Sequence, residues 1–163
     1  MLIAFSVGTI YEGDNNKRSK GKVRVLKGRS SVLDKMKKVA LESMNRAYSP
    51  YSGIKVGASI LDDRGKVYSG CNVENASYGL TICAERVAAV KAVSSGSRCF
   101  RSVLIVSSLE GFTYPCGACR QGLAEFSCTD RGIDVVLLSR DGKTRVIELE
   151  NLLPNAFMTK KKS

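Results

Sequence analysis

Two short runs, Val103-Leu104-Ile105-Val106 and Val135-Val136-Leu137-Leu138, are apolar at every position. A half-exposed strand alternates apolar and polar residues because successive side chains point to opposite faces. A run without alternation therefore suits a strand covered on both sides. The rest of the chain supplies the cover. Val32, Leu33, Met36, Val39, Ala40 and Ala47 recur at helical spacing, with Ser31 as N-cap and Pro50 beyond the end, which predicts an amphipathic helix over 32–48. Ile54, Val56, Ala58 and Ile60 alternate with Lys55, Gly57 and Ser59, and Asp62-Asp63-Arg64-Gly65 then turns the chain into Val67–Cys71, which reads as a β-hairpin. An Ala- and Val-rich stretch over 82–94, ended by Ser94-Ser95-Gly96, predicts a mostly buried helix. A further helix is expected over 117–126, and an Asp141-Gly142 turn precedes a strand near 144–148. The order α-β-β-α-β-α-β-β predicts an α/β fold in which helices cover a mixed sheet.

The chain has 163 residues, of which 44% are hydrophobic and 25% charged, as expected for one ordinary folded domain rather than a disordered chain. No stretch approaches the roughly 18 consecutive apolar residues of a membrane span. Met1 to Ser6 lacks the basic start and long apolar middle of a secretory signal, so neither membrane insertion nor conventional secretion is expected. The formal charge of +11 points elsewhere than it first suggests. Residues 1–30 carry +5, residues 158–163 carry +3 through Lys160, Lys161 and Lys162, and 31–157 carries only +3. The chain thus divides into a basic N-terminal extension over 1–30 without sustained periodicity, a domain over 31–157, and a basic tail over 158–163. Basicity confined to the ends gives little support to nucleic acid as a substrate.

There is no histidine, which excludes Ser-His-Asp and Cys-His catalysis and every metal site that uses imidazole. There are six cysteines, three of them in a distinctive setting. Cys116-Gly117-Ala118-Cys119 is a CxxC at a predicted helix start, preceded by Pro115, and Cys83 opens another predicted helix with Glu85 two residues on. Helix N-termini carry partial positive charge, so thiolates are stabilised there and can ligate a metal at neutral pH. Three thiolates leave the fourth position of a tetrahedral zinc open, as in a catalytic rather than a structural site. Arg86 and Arg120, each beside a motif residue, are candidates to offset the thiolate charge, and Glu85 is the candidate proton carrier. A redox pair or packing cysteines are the competing readings of a CxxC alone. Cys71, Cys99 and Cys128 lack such context and are expected as reduced thiols, consistent with a reducing compartment.

Cys83-Ala84-Glu85 followed by Pro115-Cys116-Gly117-Ala118-Cys119 matches the zinc-deaminase signature. The fuller stretches Cys71-Asn72-Val73-Glu74-Asn75-Ala76-Ser77-Tyr78-Gly79-Leu80-Thr81-Ile82 and Cys119-Arg120-Gln121 extend the likeness. So do Tyr48-Ser49-Pro50-Tyr51-Ser52, Val56-Gly57-Ala58 and Glu148 through Phe157. Over about 31–157 the chain resembles the small homotetrameric cytidine deaminases. The resemblance implies a three-layer α/β/α fold with a mixed five-stranded sheet, one zinc per subunit and hydrolytic deamination of cytidine and deoxycytidine in pyrimidine salvage. Position by position, it implies Cys83, Cys116 and Cys119 as zinc ligands and Glu85 as proton shuttle. Asn72 and Glu74 would contact the ribose, the Ala84 N–H the base carbonyl, and Ile54 and Tyr78 the nucleoside. Phe157 would reach a neighbouring subunit's pocket within a homotetramer whose active sites are shared. Two residues depart from the family pattern: Ile54 stands where an aromatic residue is usual, and Tyr114 stands before Pro115 where a small one is. Other cytosine-bearing substrates, either a nucleoside antibiotic or a base in a polynucleotide, and a zinc-stabilised binding protein remain as alternatives. A cytoplasmic location is expected, or a nuclear one if the basic ends act as an address.

Overall fold

The computed structural model describes residues 30–127 and 132–158. The basic extension up to residue 29, Cys128 and the terminal Lys160, Lys161 and Lys162 lie outside the described residues. Among the described residues the elements are α1 (Ser30–Asn45), β1 (Val56–Asp62), β2 (Val67–Cys71), a 3-10 turn (Tyr78–Leu80), α2 (Ala84–Ser94), β3 (Phe100–Ser107), α3 (Gly117–Ala124), β4 (Asp134–Leu138), β5 (Thr144–Glu148) and α4 (Leu149–Leu152). The expected order is present, with α4 and the 3-10 turn added. α1 already includes Ser30, so Ser31 lies within its first turn rather than capping it.

The five strands form one sheet in the order β2-β1-β3-β4-β5. β3 and β4 are parallel and the other neighbours antiparallel, so the sheet is mixed. The parallel pair needs a crossover, which α3 provides. The unbroken apolar runs sort by parity onto two faces. Val103, Ile105, Val135 and Leu137 join a core with Ala84, Ala88 and Ala92 of α2 and Leu123 of α3. Leu104, Val106, Val136 and Leu138 join Met36 and Ala40 of α1 on the other face. A layer of α2 and α3, the sheet, and a layer formed by α1 make the three-layer α/β/α arrangement.

β1 departs from a half-exposed strand: it is buried along nearly its whole length because α1 covers the face that Gly57 and Ser59 present. The Ser59 hydroxyl satisfies itself there by donating to the Met36 carbonyl at 3.0 Å. Gly57 is small for a structural reason, since a Cβ would fall on the Ala40 carbonyl oxygen and 2.8 Å from the Met44 nitrogen. Gly70 of β2 plays the same part against α2. A Cβ there would strike the Ala84 carbonyl oxygen and the Ala88 nitrogen and lie 3.0 Å from the Val87 carbonyl carbon. The sheet and the first turns of α2 therefore touch backbone to backbone.

At the far end of the hairpin the buried Asp62 carboxylate organises the turn. Its Oδ1 accepts the N–H groups of Arg64 at 3.0 Å and Lys66 at 2.7 Å, and its Oδ2 accepts the Tyr68 hydroxyl at 3.2 Å and the Arg64 guanidinium at 3.3 Å. Burial pushes the Asp62 pKa up, but the Lys66 N–H, the Tyr68 hydroxyl and Arg64 outweigh it and hold the carboxyl below its usual 3.8.

One thiol expectation is corrected. Cys99, expected reduced, is disulfide-bonded. The Phe100 N–H donates to the Phe126 carbonyl at 2.9 Å, which brings the start of β3 alongside the chain leaving α3. Cys71 is a free thiol as expected. With Cys99 oxidised, thiol content no longer argues for a reducing compartment.

Two outcomes follow from this packing. Gly70→Ala should cost about 3 kcal/mol in chemical denaturation, because helix backbone, unlike a side chain, has no rotamer through which to give way. Asp62→Asn should lose about 2 kcal/mol at neutral pH, as expected for a broken set of hydrogen bonds to a charged group. The folded pKa of Asp62 is depressed, so its contribution is complete above the ordinary carboxylate value and is lost as pH falls through the folded one. The gap between Asp62→Asn and the parent in pH-dependent melts should accordingly narrow in acid.

Candidate metal centre and active site

Both helices that carry the cysteines start at one edge of the sheet. β1 runs antiparallel to β3, and pairing of Val56 with Ser107 and of Gly57 with Cys71 sets the start of β1 beside the ends of β2 and β3. The chain leaving β2 supplies Asn72 and Glu74, then turns into α2, and the chain leaving β3 turns into α3. Cys83 is the N-cap residue of α2 and Cys116 that of α3, both with extended backbone, while Cys119 lies inside α3. Pro115 holds the residue before it extended and so sets the entry into α3.

The Cys83 and Cys116 sulfurs are 3.9 Å apart, those of Cys116 and Cys119 3.4 Å, and all three lie within 4.8 Å of one another. Zinc–sulfur bonds of about 2.3 Å at tetrahedral angles place sulfurs about 3.8 Å apart, so this cluster has the span a zinc ion requires. Three thiolates with no imidazole also form a soft donor set of the kind that favours zinc. Among the described residues this is the one group of three or more His, Cys, Asp or Glu side chains whose ligand atoms converge in this way. The Cys83 thiol is lowered to about 7, first by its hydrogen bond with Cys119 and also by the Arg86 charge. Cys119 is pushed up by the same hydrogen bond and by burial. One thiol thus sheds its proton first while its neighbour retains one.

Glu85 is only 5% exposed. Burial pushes its carboxyl up, while its own N–H and Cys119 pull it partly back. It sits in the first turn of α2, where the helix N-terminus favours the carboxylate and the buried setting favours the acid. A carboxyl balanced in that way can both take and return a proton. Ala84, fully buried beside it, has an N–H that helix geometry leaves without an intrahelical carbonyl.

Asn72 and Glu74 lie at the same edge, and both are tied to backbone. Asn72 donates from Nδ2 to the Ile54 carbonyl at 2.9 Å and accepts the Val56 N–H at 2.8 Å. Glu74 Oε2 accepts the N–H groups of Tyr51 at 2.8 Å and Ser52 at 3.2 Å, and its Oε1 accepts the Ser52 hydroxyl. Burial opposes ionisation of Glu74, but the Ser52 hydroxyl and these N–H groups hold its pKa below the usual value. Ile54 is half-buried between Ser52 and the start of β1. Tyr78 is 58% exposed, and its ring meets the Tyr51 ring edge-on at 6.4 Å.

The two arginines are placed differently. Arg86 is exposed and its charge acts on Cys83. Arg120 donates to the Pro115 carbonyl at 2.8 Å and the Leu152 carbonyl at 2.9 Å, tying the entry of α3 to α4. Tyr114 accepts a hydrogen bond from Arg145 at 2.7 Å, and that guanidinium lies 4.6 Å over the Phe112 ring. Gln121 had no assigned role, yet its amide brackets the backbone of Phe157. Its Nε2 donates to the Phe157 carbonyl at 2.7 Å and its Oε1 accepts the Phe157 N–H at 3.0 Å. The Phe157 ring is 76% exposed, away from the three sulfurs in sequence but latched to the helix that holds two of them.

A family profile described as "Cytidine and deoxycytidylate deaminase zinc-binding region" matches residues 30–133. The chain belongs to that deaminase family. It is 42% identical over 125 residues to a cytidine deaminase of Sporosarcina psychrophila, covering 77% of this chain and 90% of that protein. It is 44% identical over 126 residues to a probable cytidine deaminase of Dictyostelium discoideum, covering 77% of this chain and 83% of that protein. The crystal structure of a cytidine deaminase from Burkholderia pseudomallei superposes with a TM-score of 0.71 at 43% identity, covering 76% of this chain and 98% of that one. The deaminase fold, the sulfur spacing and the donor chemistry agree that Cys83, Cys116 and Cys119 suit a zinc ion.

Replacement of Cys116 by Ser in this deaminase should lower bound zinc from about one ion per chain to near none, since only two thiolates would remain to hold the ion. The same replacement at Cys71 should leave zinc content unchanged. Metal analysis of the purified variants measures both.

Proposed function

We propose that the chain catalyses hydrolytic deamination of cytidine and deoxycytidine, taking up water and giving uridine or deoxyuridine and ammonia, as a step of pyrimidine salvage. The observation that carries this reading is the buried Glu85 carboxyl, two residues from Cys83 in the same helix turn that bounds the three-sulfur cluster. Zinc held by the three thiolates supplies Lewis acidity at an open fourth position, easing deprotonation of a water there.

The protein's own part is proton handling and positioning. Glu85 accepts a proton from the attacking water and delivers it to N3 of the cytosine ring; it then takes the proton of the hydroxyl newly formed on C4 and passes it to the amino group, which departs as ammonia while the C4 carbonyl forms. Its raised pKa suits it to hold each proton between uptake and delivery. Arg86 offsets part of the thiolate charge near Cys83, which would otherwise make deprotonation of a nearby water harder. The N–H of Ala84, which has no intrahelical carbonyl, is assigned to the base carbonyl oxygen, Ile54 and Tyr78 to the apolar flank of the nucleoside, and Asn72 and Glu74 to the ribose. Asn72 retains one N–H and Glu74 one lone-pair direction beyond the bonds described above, which matches a sugar hydroxyl that donates to the carboxylate and accepts from the amide. A polynucleotide would esterify that hydroxyl, so this pairing favours a free nucleoside.

The catalytic unit is placed at 31–157, with the basic ends outside it, and assembly is placed at a homotetramer in which Phe157 packs into a neighbour's pocket. The exposure of Tyr48, Leu80, Val90 and Phe157 supports apolar contact between subunits. The location is placed in the cytoplasm, where free nucleosides are salvaged. No helix among the described residues is long and apolar enough to cross a membrane.

Loss of ultraviolet absorbance on incubation with cytidine and deoxycytidine, but not with a cytosine-containing oligonucleotide or blasticidin S, and its abolition by a chelator, tests the reading. Glu85→Gln should keep its zinc and lose at least about 10³-fold in kcat, a proton-transfer role being worth about 10²–10⁴-fold. A variant that turned over at the parent rate would overturn the assignment.

A further inference from the structure

The exposed Ser52 hydroxyl sits where the two sugar-side residues meet. Its oxygen accepts the Ile54 N–H at 3.0 Å, which leaves its own proton for Glu74 Oε1. The Ile54 carbonyl, on the other side of the same residue, accepts Asn72 Nδ2 at 2.9 Å. A continuous path therefore runs from the Glu74 carboxylate through the Ser52 hydroxyl and the Ile54 backbone to the Asn72 amide, and on to the Val56 N–H at 2.8 Å.

The loop that carries Ser52 is itself anchored. The Tyr48 N–H donates to the Asn72 carbonyl at 3.1 Å, the Glu74 N–H donates to the Tyr48 carbonyl at 2.8 Å, and the Gly53 N–H closes a turn onto the Ser49 carbonyl at 3.0 Å. Gly53 has a φ of 70°, a conformation that glycine adopts without strain, so the chain can reverse immediately after Ser52. The backbone anchors place the loop, but they do not by themselves orient the carboxylate. A carboxylate has about four lone-pair directions. Two backbone N–H groups occupy those of Oε2, and the Ser52 hydroxyl occupies one on Oε1, so the remaining acceptor direction lies on Oε1 beside Ser52. Ser52 thereby selects which way the unoccupied lone pair faces. It also helps to hold the carboxyl ionised, the form that accepts a sugar hydroxyl.

We propose that Ser52 is a positioning residue for nucleoside selection: by orienting Glu74 Oε1 and fixing the Ile54 backbone that holds Asn72, it makes the enzyme discriminate in favour of substrates with free ribose hydroxyls. The proposal rests on the assignment of Asn72 and Glu74 to the ribose. It goes beyond that assignment in giving sugar discrimination to a third side chain that does not contact the reacting ring.

The test compares kcat and KM for cytidine and for 2′,3′-dideoxycytidine, which keeps the base and the 5′-hydroxyl but lacks the hydroxyls that Asn72 and Glu74 would hold. The proteins are the zinc-loaded full chain, Ser52→Ala, Ser52→Thr, Glu74→Ala and the double variant Ser52→Ala/Glu74→Ala. In Ser52→Ala the KM for cytidine should rise about tenfold with kcat unchanged, the size expected for one hydrogen bond to a charged group. The parameters for dideoxycytidine should stay where they were, so the preference for cytidine shrinks. Ser52→Thr, which keeps a hydroxyl, should restore most of that preference. In the Glu74→Ala background the serine replacement should add little further loss, because both changes break the same path.

An equal loss on both substrates would mean that Ser52 supports the fold only, and would overturn the proposal while leaving the ribose assignment intact. An unchanged preference would do the same. A parent enzyme that treats the two substrates alike would overturn the ribose assignment and the proposal with it. Should Ser52→Ala fail to fold, Ser52→Cys, close in size with a much weaker donor, carries the same comparison with the same opposing outcomes.

Discussion

The site depends on how closely α2 approaches the sheet at Gly70. Helices usually rest on sheets through interleaved side chains, which set their axes well above the strands. Here the absence of a side chain at one position of β2 lets the first two turns of α2 settle onto the strand. Those turns contain Ala84 and Ala88, which with Ala92 of the next turn present small side chains to the same core. Cys83 and Glu85 flank Ala84, so the same contact fixes where one sulfur and the Glu85 carboxyl lie. A helix displaced by even the width of a methyl group would move Cys83 away from Cys116 and Cys119, which belong to a different helix held by different strands. Placement of the three sulfurs is a property of the sheet, which holds both helices at one edge.

That edge concentrates opposing charges. Two helix N-termini supply partial positive charge to thiols that must ionise, and Arg86 adds a full one near Cys83. The buried Glu85 competes for the same field, and its carboxyl is raised rather than lowered. The result is a division of labour between groups a few residues apart. The Cys83 thiol becomes easier to deprotonate, and the Glu85 carboxyl easier to protonate. Burial decides the difference, because desolvation acts most strongly on Glu85, while hydrogen bonding to Cys119 acts most strongly on Cys83.

How far sequence could foresee this depended on whether a residue's role was local. The unbroken apolar runs at 103–106 and 135–138 mark strands covered on both faces, and alternate side chains do divide between the two cores. The cysteine spacing and Pro115 likewise carry their meaning within a few residues. The alternation through Gly57 and Ser59 marks the hairpin strand but not its cover, because small and polar residues alternating with apolar ones look the same whether they face water or a close-packed helix. α4 is a single turn, too short for any periodicity to declare it. Cys99 defeated inference because oxidation depends on what a distant part of the chain brings alongside. The roles of Gln121 and Ser52 depend on partners far away in sequence, Phe157 in one case and Glu74 in the other. A glutamine after Cys-Arg or a serine before glycine carries no signal for such a bond.

Asn72 and Glu74, which we assign to the sugar, spend most of their hydrogen-bonding capacity on the protein itself, and this is a reason to expect selectivity from them. A polar side chain left free in a cleft is solvated and rotates, so a ligand must order it before gaining from it. Asn72 and Glu74 are ordered in advance by the backbone of the 51–56 segment, and our assignment gives their remaining directions to a hydroxyl pair. A nucleoside with those hydroxyls meets groups already aimed. One without them would cover the remaining lone-pair direction of the carboxylate without filling it, a penalty rather than merely a missing gain. On that assignment, recognition of the sugar and activation of the base share one mechanical origin, since Asn72 accepts the Val56 N–H at the start of β1 while Gly70, two residues earlier, seats the helix that carries Glu85.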